Sequence, residues 1–287
     1  MAMTSDPSTG GTAVPASIAE ALAQARARGL ARLDALAMLE ALCGRPRVWL
    51  LTHDDEALPA AAAARWADWL QRRAAGEPLA YLLGHKEFHG LDLAVSAAVL
   101  VPRPDTETLV DWALALLPPG GRVIDLGTGS GAIALALAAA RPDARVHARD
   151  LSEAALAVAR ANGERLGLPV AWSQGSWLEA LPAGQGPFEL IVSNPPYIAG
   201  DDPHLPALHH EPRLALTPEG DGLDALRAIC AQAGAHLVPG GWLLFEHGHD
   251  QAAAVAGLLA QAGFEAVDHR RDLADIVRCT GARWPGR

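Results

Sequence analysis

Val123-Ile124-Asp125-Leu126-Gly127-Thr128-Gly129-Ser130-Gly131-Ala132 reads as an apolar strand that runs into a glycine-rich turn and leaves it as a helix. Glycines let a backbone bend sharply and approach a ligand closely, and a helix N-terminus supplies free N–H groups. The next strand ends at Asp150, 23 residues beyond Gly127. In a doubly wound sheet that position lets a carboxylate accept both hydroxyls of a ribose. Gly127, Gly129 and Ala132 also satisfy the looser dinucleotide fingerprint, so a nicotinamide cofactor remains open at this point.

Downstream of this turn the chain alternates strand and helix. Strands are predicted at 122–126, 144–150, 170–173, 188–193 and 241–246. Helices are predicted at 131–140, after Ser152, at 223–237 and at 251–263, and a strand pair near 265–270 and 275–280 closes the chain. Near-continuous apolar strands separated by helices imply an α/β fold, with a mostly parallel sheet covered on both faces. Upstream, a helix capped by Asp105 or Thr106 runs to Pro118. Residues 76–105 are broken by Gly76, Pro78, Gly84, Gly90, Pro102 and Pro104. Short strands are predicted around Phe88–Val95 and Val99–Val101, making a hairpin-like connector. Residues 17–75 carry helical periodicity, with Gly29 and Gly44 as punctuation and Pro59 at the start of a helix bearing Trp66, Trp69 and Leu70. They read as a small all-α domain. Residues 1–16 are small and polar and are expected to be disordered. The larger α/β domain is then expected over 106–287.

The 287 residues carry a formal net charge of −10, half are hydrophobic and 20% are charged. That composition supports a sizeable core and argues against long disorder. The longest run without a formal charge, Ala228–Phe245, contains Gln232, His236, Pro239 and two glycines and does not suit a membrane span. Three distant cysteines, Cys43, Cys230 and Cys279, suit neither disulfides nor a zinc site, which points to a reducing, cytoplasmic setting. A single lysine, Lys86, stands against 22 arginines, a compositional bias without functional meaning. The acidic balance disfavours non-specific binding to DNA.

Asn194-Pro195-Pro196-Tyr197 ends the fourth strand. Each proline holds the residue before it extended and offers no N–H, so the stretch is stiff. It can present the Asn194 side-chain oxygen and the Pro195 carbonyl to one NH₂ group, with Tyr197 as a flat wall. The carboxyl end of a parallel strand faces the crevice where ligands bind. Two adjacent histidines, His209 and His210, do not share a helix face, so a surface loop is expected there and no metal site. Glu211 and Arg213 read equally well as a solvated charge pair or as substrate contacts.

These two motifs together resemble class I S-adenosylmethionine-dependent methyltransferases, whose fold is Rossmann-like. The Asn-Pro-Pro-Tyr form is similar to that of enzymes methylating a planar nitrogen, either adenine N6 or a glutamine amide. Pro102-Arg103-Pro104-Asp105-Thr106-Glu107 resembles the segment that joins the two domains of the peptide chain release factor N5-glutamine methyltransferases. Gly76-Glu77-Pro78, Tyr81, Gly84, Glu87-Phe88, Gly90, Glu246-His247-Gly248 and Arg271-Asp272 are similar to that family too. The likeness spans about residues 17–283.

The resemblance implies S-adenosyl-L-methionine as cofactor, contacted by Gly127, Thr128, Gly129, Ser130, Gly131, Asp150, Trp177 and Asn194. It implies Asn194, Pro195, Pro196 and Tyr197 as the catalytic and substrate-binding loop, with Arg103 as a further substrate contact. It implies a monomeric enzyme acting on class-1 peptide chain release factors, at the glutamine of a Gly-Gly-Gln motif, with a helical domain that recognises the partner. The family commonly has an acidic residue just before Trp177, where this chain has Ser176. Methylation of a ribosomal-protein glutamine or of adenine in DNA, a nicotinamide-dependent oxidoreductase and a non-catalytic binding module are the alternatives. The oxidoreductase leaves Asn194–Tyr197 unexplained.

Overall fold

The computed structural model describes residues 14–182 and 184–286. Residues 1–13, most of the segment expected to be disordered, lie outside them. The chain divides into two compact units, one ending at Leu83 and one beginning at Gly84.

The named elements of the first unit are all helices: α1 (Ile18–Ala27), α2 (Arg32–Cys43), α3 (Arg47–Thr52), α4 (Ala60–Ala74) and α5 (Leu79–Leu83), with one isolated antiparallel bridge between Ser17 and Ala57. Ser17 caps α1 by accepting the Glu20 N–H at 3.2 Å, and the Glu20 carboxylate reaches back to the Ala16 N–H at 2.8 Å. The first bond satisfies one N–H group that the first helical turn leaves over, and the second ties the residue before the cap to that turn. Ile18, Leu36, Met38, Leu39, Leu50, Trp66 and Leu70 are buried together. The Trp66 indole donates to Gln24 at 3.1 Å, which lets a large amphipathic ring enter that core.

The second unit opens with a hairpin, β1 (His85–Phe88) and β2 (Leu91–Ala94), paired antiparallel. Residues 99–101 form no strand. The Val99 N–H donates to the Ser96 carbonyl at 3.1 Å, and the Val101 N–H is taken by a distant side chain, Glu211. A 3₁₀ turn at Pro104–Thr106 leads into α6 (Glu107–Leu116). Then follow β3 (Arg122–Leu126), α7 (Ala132–Ala140), β4 (Arg145–Asp150), α8 (Glu153–Leu166), β5 (Ala171–Gln174) and β6 (Phe188–Ser193). After β6 come α9 (Arg213–Leu216), α10 (Asp224–Ala233), β7 (Leu237–Glu246), α11 (Ala252–Gln261), β8 (Glu265–Arg271) and β9 (Val277–Arg283). The helix expected to reach Leu237 therefore stops at Ala233, and Leu237 already opens a strand by pairing with Phe188.

The sheet order is β5-β4-β3-β6-β7-β9-β8. Strands β3 to β7 run parallel, and β9 is antiparallel to both β7 and β8. Alternate residues enter opposite cores, as the pleat requires. Val123, Leu190, Val192 and Leu244 pack with α6 and α7. Ile124, Leu126, Ile191, Leu243 and Phe245 pack with α10 and α11. The strand order reverses between β4 and β6 on either side of β3, and a crevice opens at the carboxyl ends of these strands. Among the described residues no helix is long and apolar enough to cross a membrane.

Candidate active site

The turn after β3 carries positive φ at Gly127, Gly129 and Gly131. An added Cβ at Gly129 would meet nothing within 4 Å, whereas one at Gly131 would press Leu135 at 3.0 Å and Trp172 at 3.1 Å. Gly129 therefore keeps a cavity open, and Gly131 lets α7 pack against its neighbours. Thr128 and Ser130 are buried away from the cavity. The Thr128 hydroxyl donates to Asp125 at 2.6 Å, and the Ser130 carbonyl accepts from Asn162 at 3.0 Å.

The free N–H groups expected at this turn are mostly spent internally. Gly127 and Thr128 both donate to the Arg149 carbonyl, at 2.8 and 3.0 Å, and Gly131 donates to Thr128 at 2.8 Å. The Gly129 N–H donates to Asp150 at 2.9 Å. A pyrophosphate needs such donors unpaired, so the turn is poorly suited to a dinucleotide. A ligand would meet the bare backbone surface here.

A cavity of about 240 Å³ lies beside the turn, lined by Gly127, Gly129, Asp150, Trp177, Asn194 and Pro196 among others. Of the cofactor contacts expected from the sequence, Thr128, Ser130 and Gly131 do not line it. Ser176 does, and so do Ala98, Val99 and Leu100 of the segment before the 3₁₀ turn, which no local pattern marked. Asp150 is anchored through both carboxylate oxygens, one accepting from Gly129 and the other from Ser152 at 2.8 Å. Burial raises its pKa, and these N–H groups offset part of the rise. Beneath the turn, burial pushes Asp125 up to about 7, against hydrogen bonds from Thr128 and the Ala134 backbone. Trp177 holds a positive φ of 41° and sets its ring 3.5 Å from where a Gly127 Cβ would stand.

Ser193, the last residue of β6, donates its hydroxyl to the Leu126 carbonyl at 2.7 Å. This bond couples the exits of β6 and β3, and no motif signalled it. A second cavity of about 140 Å³ is lined by Arg103, Asn194, Pro195, Tyr197, Leu208 and Leu216, among others. Asn194 borders both cavities. Its amide nitrogen donates to the Thr106 hydroxyl at 3.2 Å. Tyr197 is braced from below, where Gln251 donates to its carbonyl at 2.9 Å and accepts the Gly248 N–H at 2.8 Å. Burial pushes the Tyr197 hydroxyl up to about 12, so it stays neutral.

Glu211 and Arg213 do not pair with each other. Glu211 is buried, grips the Arg103 guanidinium and accepts the Val101 N–H at 3.1 Å. Arg213 binds Glu219 at the surface, 2.7 Å away. His209 is exposed, and its ring bonds the Pro206 carbonyl at 2.8 Å. Among the described residues no group of three or more metal-ligating side chains converges. At the end of β7, Glu246 is only 2% exposed. Burial pushes it up to about 7, and hydrogen bonding from Thr106 and Asn194 opposes the rise. His247 beside it is fully buried between the Gly248 carbonyl at 2.8 Å and the Thr280 hydroxyl at 2.7 Å, and burial lowers its pKa.

The sheet order, the cavity at its switch point and the stiff loop after β6 define a class I methyltransferase fold. A methyltransferase from Pyrococcus furiosus shares it, with a TM-score of 0.54 at 20% identity over 78% of this chain and 100% of that one. So does the catalytic domain of hMettl16 in complex with MAT2A 3′UTR hairpin 1, with a TM-score of 0.57 at 16% identity over 78% and 80%. A family model described as the PrmC N-terminal domain matches residues 16–84, and one described as the methyltransferase small domain matches residues 106–221. A release factor glutamine methyltransferase from Bordetella pertussis is 53% identical over 88% of this chain and 95% of its own length. One from Burkholderia pseudomallei is 50% identical over 95% and 98%. This chain belongs to the release factor glutamine methyltransferase family.

Proposed function

We infer that this chain transfers a methyl group from S-adenosyl-L-methionine to the side-chain amide nitrogen of the glutamine in the Gly-Gly-Gln motif of class-1 peptide chain release factors. The observation that carries this reading is the position of Asn194 between two cavities, one able to take the cofactor and the other an amide side chain. Gly127 and Gly129 offer bare backbone to the methionine part, the Asp150 carboxylate takes the ribose hydroxyls, and Trp177 with Ser176 borders the adenine region. The open space at the Gly129 Cβ position and the anchored carboxylate suit such a ligand. Thr128, Ser130 and Gly131 hold the turn in shape.

Bound S-adenosylmethionine supplies a methyl group made electrophilic by its sulfonium. The chain's own task is to aim a poor nucleophile at it. An amide nitrogen has a delocalised lone pair. The Asn194 oxygen and the Pro195 carbonyl would accept its two N–H bonds, hold the nitrogen in line, and favour the positive charge that grows on it during attack. Tyr197 and Pro196 flank the planar group. No strong base is needed before transfer, because the methylated nitrogen is acidified and sheds its proton afterwards. Arg103, held by Glu211, borders the amide cavity as a contact for the incoming peptide. The helical unit is proposed to dock the release factor away from the reacting glutamine. The net charge of −10 disfavours a nucleic-acid partner.

The test is incubation with labelled S-adenosylmethionine and, in separate reactions, a purified class-1 release factor, ribosomal proteins and DNA, with the methyl located by mass spectrometry. Label on the Gly-Gly-Gln glutamine is expected. Label on adenine or on a ribosomal-protein glutamine alone would overturn the assignment.

A further inference from the structure

Trp177 lines the cavity beside the glycine turn from a backbone with φ 41°. A residue other than glycine keeps such a conformation only where its surroundings over-determine it. Three hydrogen bonds do so here. The Glu179 N–H donates to the Ser176 carbonyl at 3.0 Å. The Leu178 N–H donates to the Gln232 side chain at 3.0 Å. The Glu179 carbonyl accepts from Nη2 of Arg149 at 2.7 Å.

We propose that Arg149 is a positioning residue for the cofactor, joining the glycine turn to the 176–179 turn and so fixing Trp177 over Gly127. This inference rests on the cofactor placement proposed above. The Arg149 carbonyl holds the N–H groups of Gly127 and Thr128, at 2.8 and 3.0 Å, and its guanidinium holds the turn that carries Trp177. One residue thus grips both sides of the space between Gly127 and Trp177, which line the same cavity. The passage for its side chain is built in. An added Cβ at Gly175 would collide with Nη2, so this glycine admits the guanidinium. Arg149 is 4% exposed, and its Nε and Nη1 meet no hydrogen-bond partner among the described residues. A buried cation held so sparingly adds little to stability, and an apolar side chain of similar length often replaces one without loss. The side-chain bond that Arg149 does make goes to the rim of the cavity. Outer partners of this kind orient a working side chain without touching the ligand.

The experiment measures S-adenosylhomocysteine affinity by calorimetry, steady-state transfer to a purified class-1 release factor and melting temperature. The proteins are the wild type, Arg149→Met, Trp177→Ala and the double variant. Arg149→Met should weaken S-adenosylhomocysteine about 10-fold, the scale of one charge-assisted hydrogen bond, and raise KM for S-adenosylmethionine alike. At saturating cofactor, kcat and KM for the release factor should stay near wild type, as should the melting temperature. In the Trp177→Ala background the same change should cost less than about 2-fold, because Arg149 acts through that ring. Arg149→Gln stays polar beside Ser173 but is too short to reach Glu179, and it carries the same comparison should Arg149→Met not fold. Wild-type affinity in the folded variant, an equal loss in KM for the release factor, or a full 10-fold loss on top of Trp177→Ala would each overturn the proposal. A wild type that transfers nothing to the release factor would instead sink the proposed function, and the binding comparison would still decide the role of Arg149.

Discussion

Residues 127–131 follow β3 and residues 194–197 follow β6, and these strands leave the sheet side by side, with Leu126 opposite Ser193. The first loop meets the cavity almost entirely with backbone, and its side chains face inward to Asp125 and the packed helices. The second meets it with Asn194 and Pro196, while its backbone is stiffened by two prolines and braced by Gln251. One loop leaves room, and the other lines that room with stiffened side chains. The lesson is that a contiguous motif is not a contiguous contact surface. Thr128, Ser130 and Gly131 serve the packing of the protein and do not line the cavity.

The sharpest way to break this contrast is Asn194→Ala. Removing an acceptor that matters most in the transition state should lower kcat by about 10²–10³-fold. Calorimetry should find S-adenosylhomocysteine binding nearly intact. If cofactor binding fell as far as turnover, the two loops would not be dividing the work. Gly129→Val should do the reverse. It fills the open space and puts a branched residue at φ 56°, so S-adenosylhomocysteine binding should be lost while circular dichroism still reports a folded chain. Normal affinity in a folded variant would remove the cofactor from this turn.

Asp150→Ala should weaken the cofactor by about 10–100-fold, since charge-assisted bonds to hydroxyls contribute about 1.5–3 kcal/mol. The KM for release factor should not move. Thr128→Val sharpens the contrast from inside the turn. It strips a buried carboxyl of its partner and should cost about 1–3 kcal/mol of stability, read by denaturant unfolding. S-adenosylhomocysteine affinity should hardly change. The smallest effect is a slope. Folding raises the Asp125 pKa from 3.8 to about 7, so the folded chain binds the extra proton between those values. Its contribution to stability is full below the unfolded value and is lost as pH rises through the folded one. The melting temperature of Asp125→Asn should therefore improve relative to wild type from about pH 4 to about pH 7. A constant difference across that range would mean that Asp125 does not titrate in it.

Much of this was legible in the residues. Strand and helix alternation announced the sheet, because parallel strands buried on both faces must be apolar throughout. The glycine turn, Asp150 and Asn194–Tyr197 are local patterns whose chemistry follows from their residue types. What could not be read is what distant residues do to one another. The N–H groups of the turn look free until β4 brings the Arg149 carbonyl beneath them. Glu211 and Arg213 look like one surface pair, yet Glu211 turns inward to Arg103, 108 residues away. Val99–Val101 has the composition of a strand, but Val99 and Leu100 line a cavity and the Val101 N–H is given to Glu211. Glu246 looks like the polar end of a strand, and its neighbours come from three separate segments of chain.

The cavity wall formed by Ala98, Val99 and Leu100 bears on where this enzyme could be cut. The matched methyltransferase segment begins at residue 106, but that wall, Phe88 and Leu93 in the core, and the Arg103 that neutralises Glu211 all precede it. An excised fragment starting at Thr106 would open the cavity beside the glycine turn on one side and strand a carboxylate in an apolar interior. The compact unit starts at Gly84. Any minimal version, circular permutant or fusion of the catalytic half should take its first residue there.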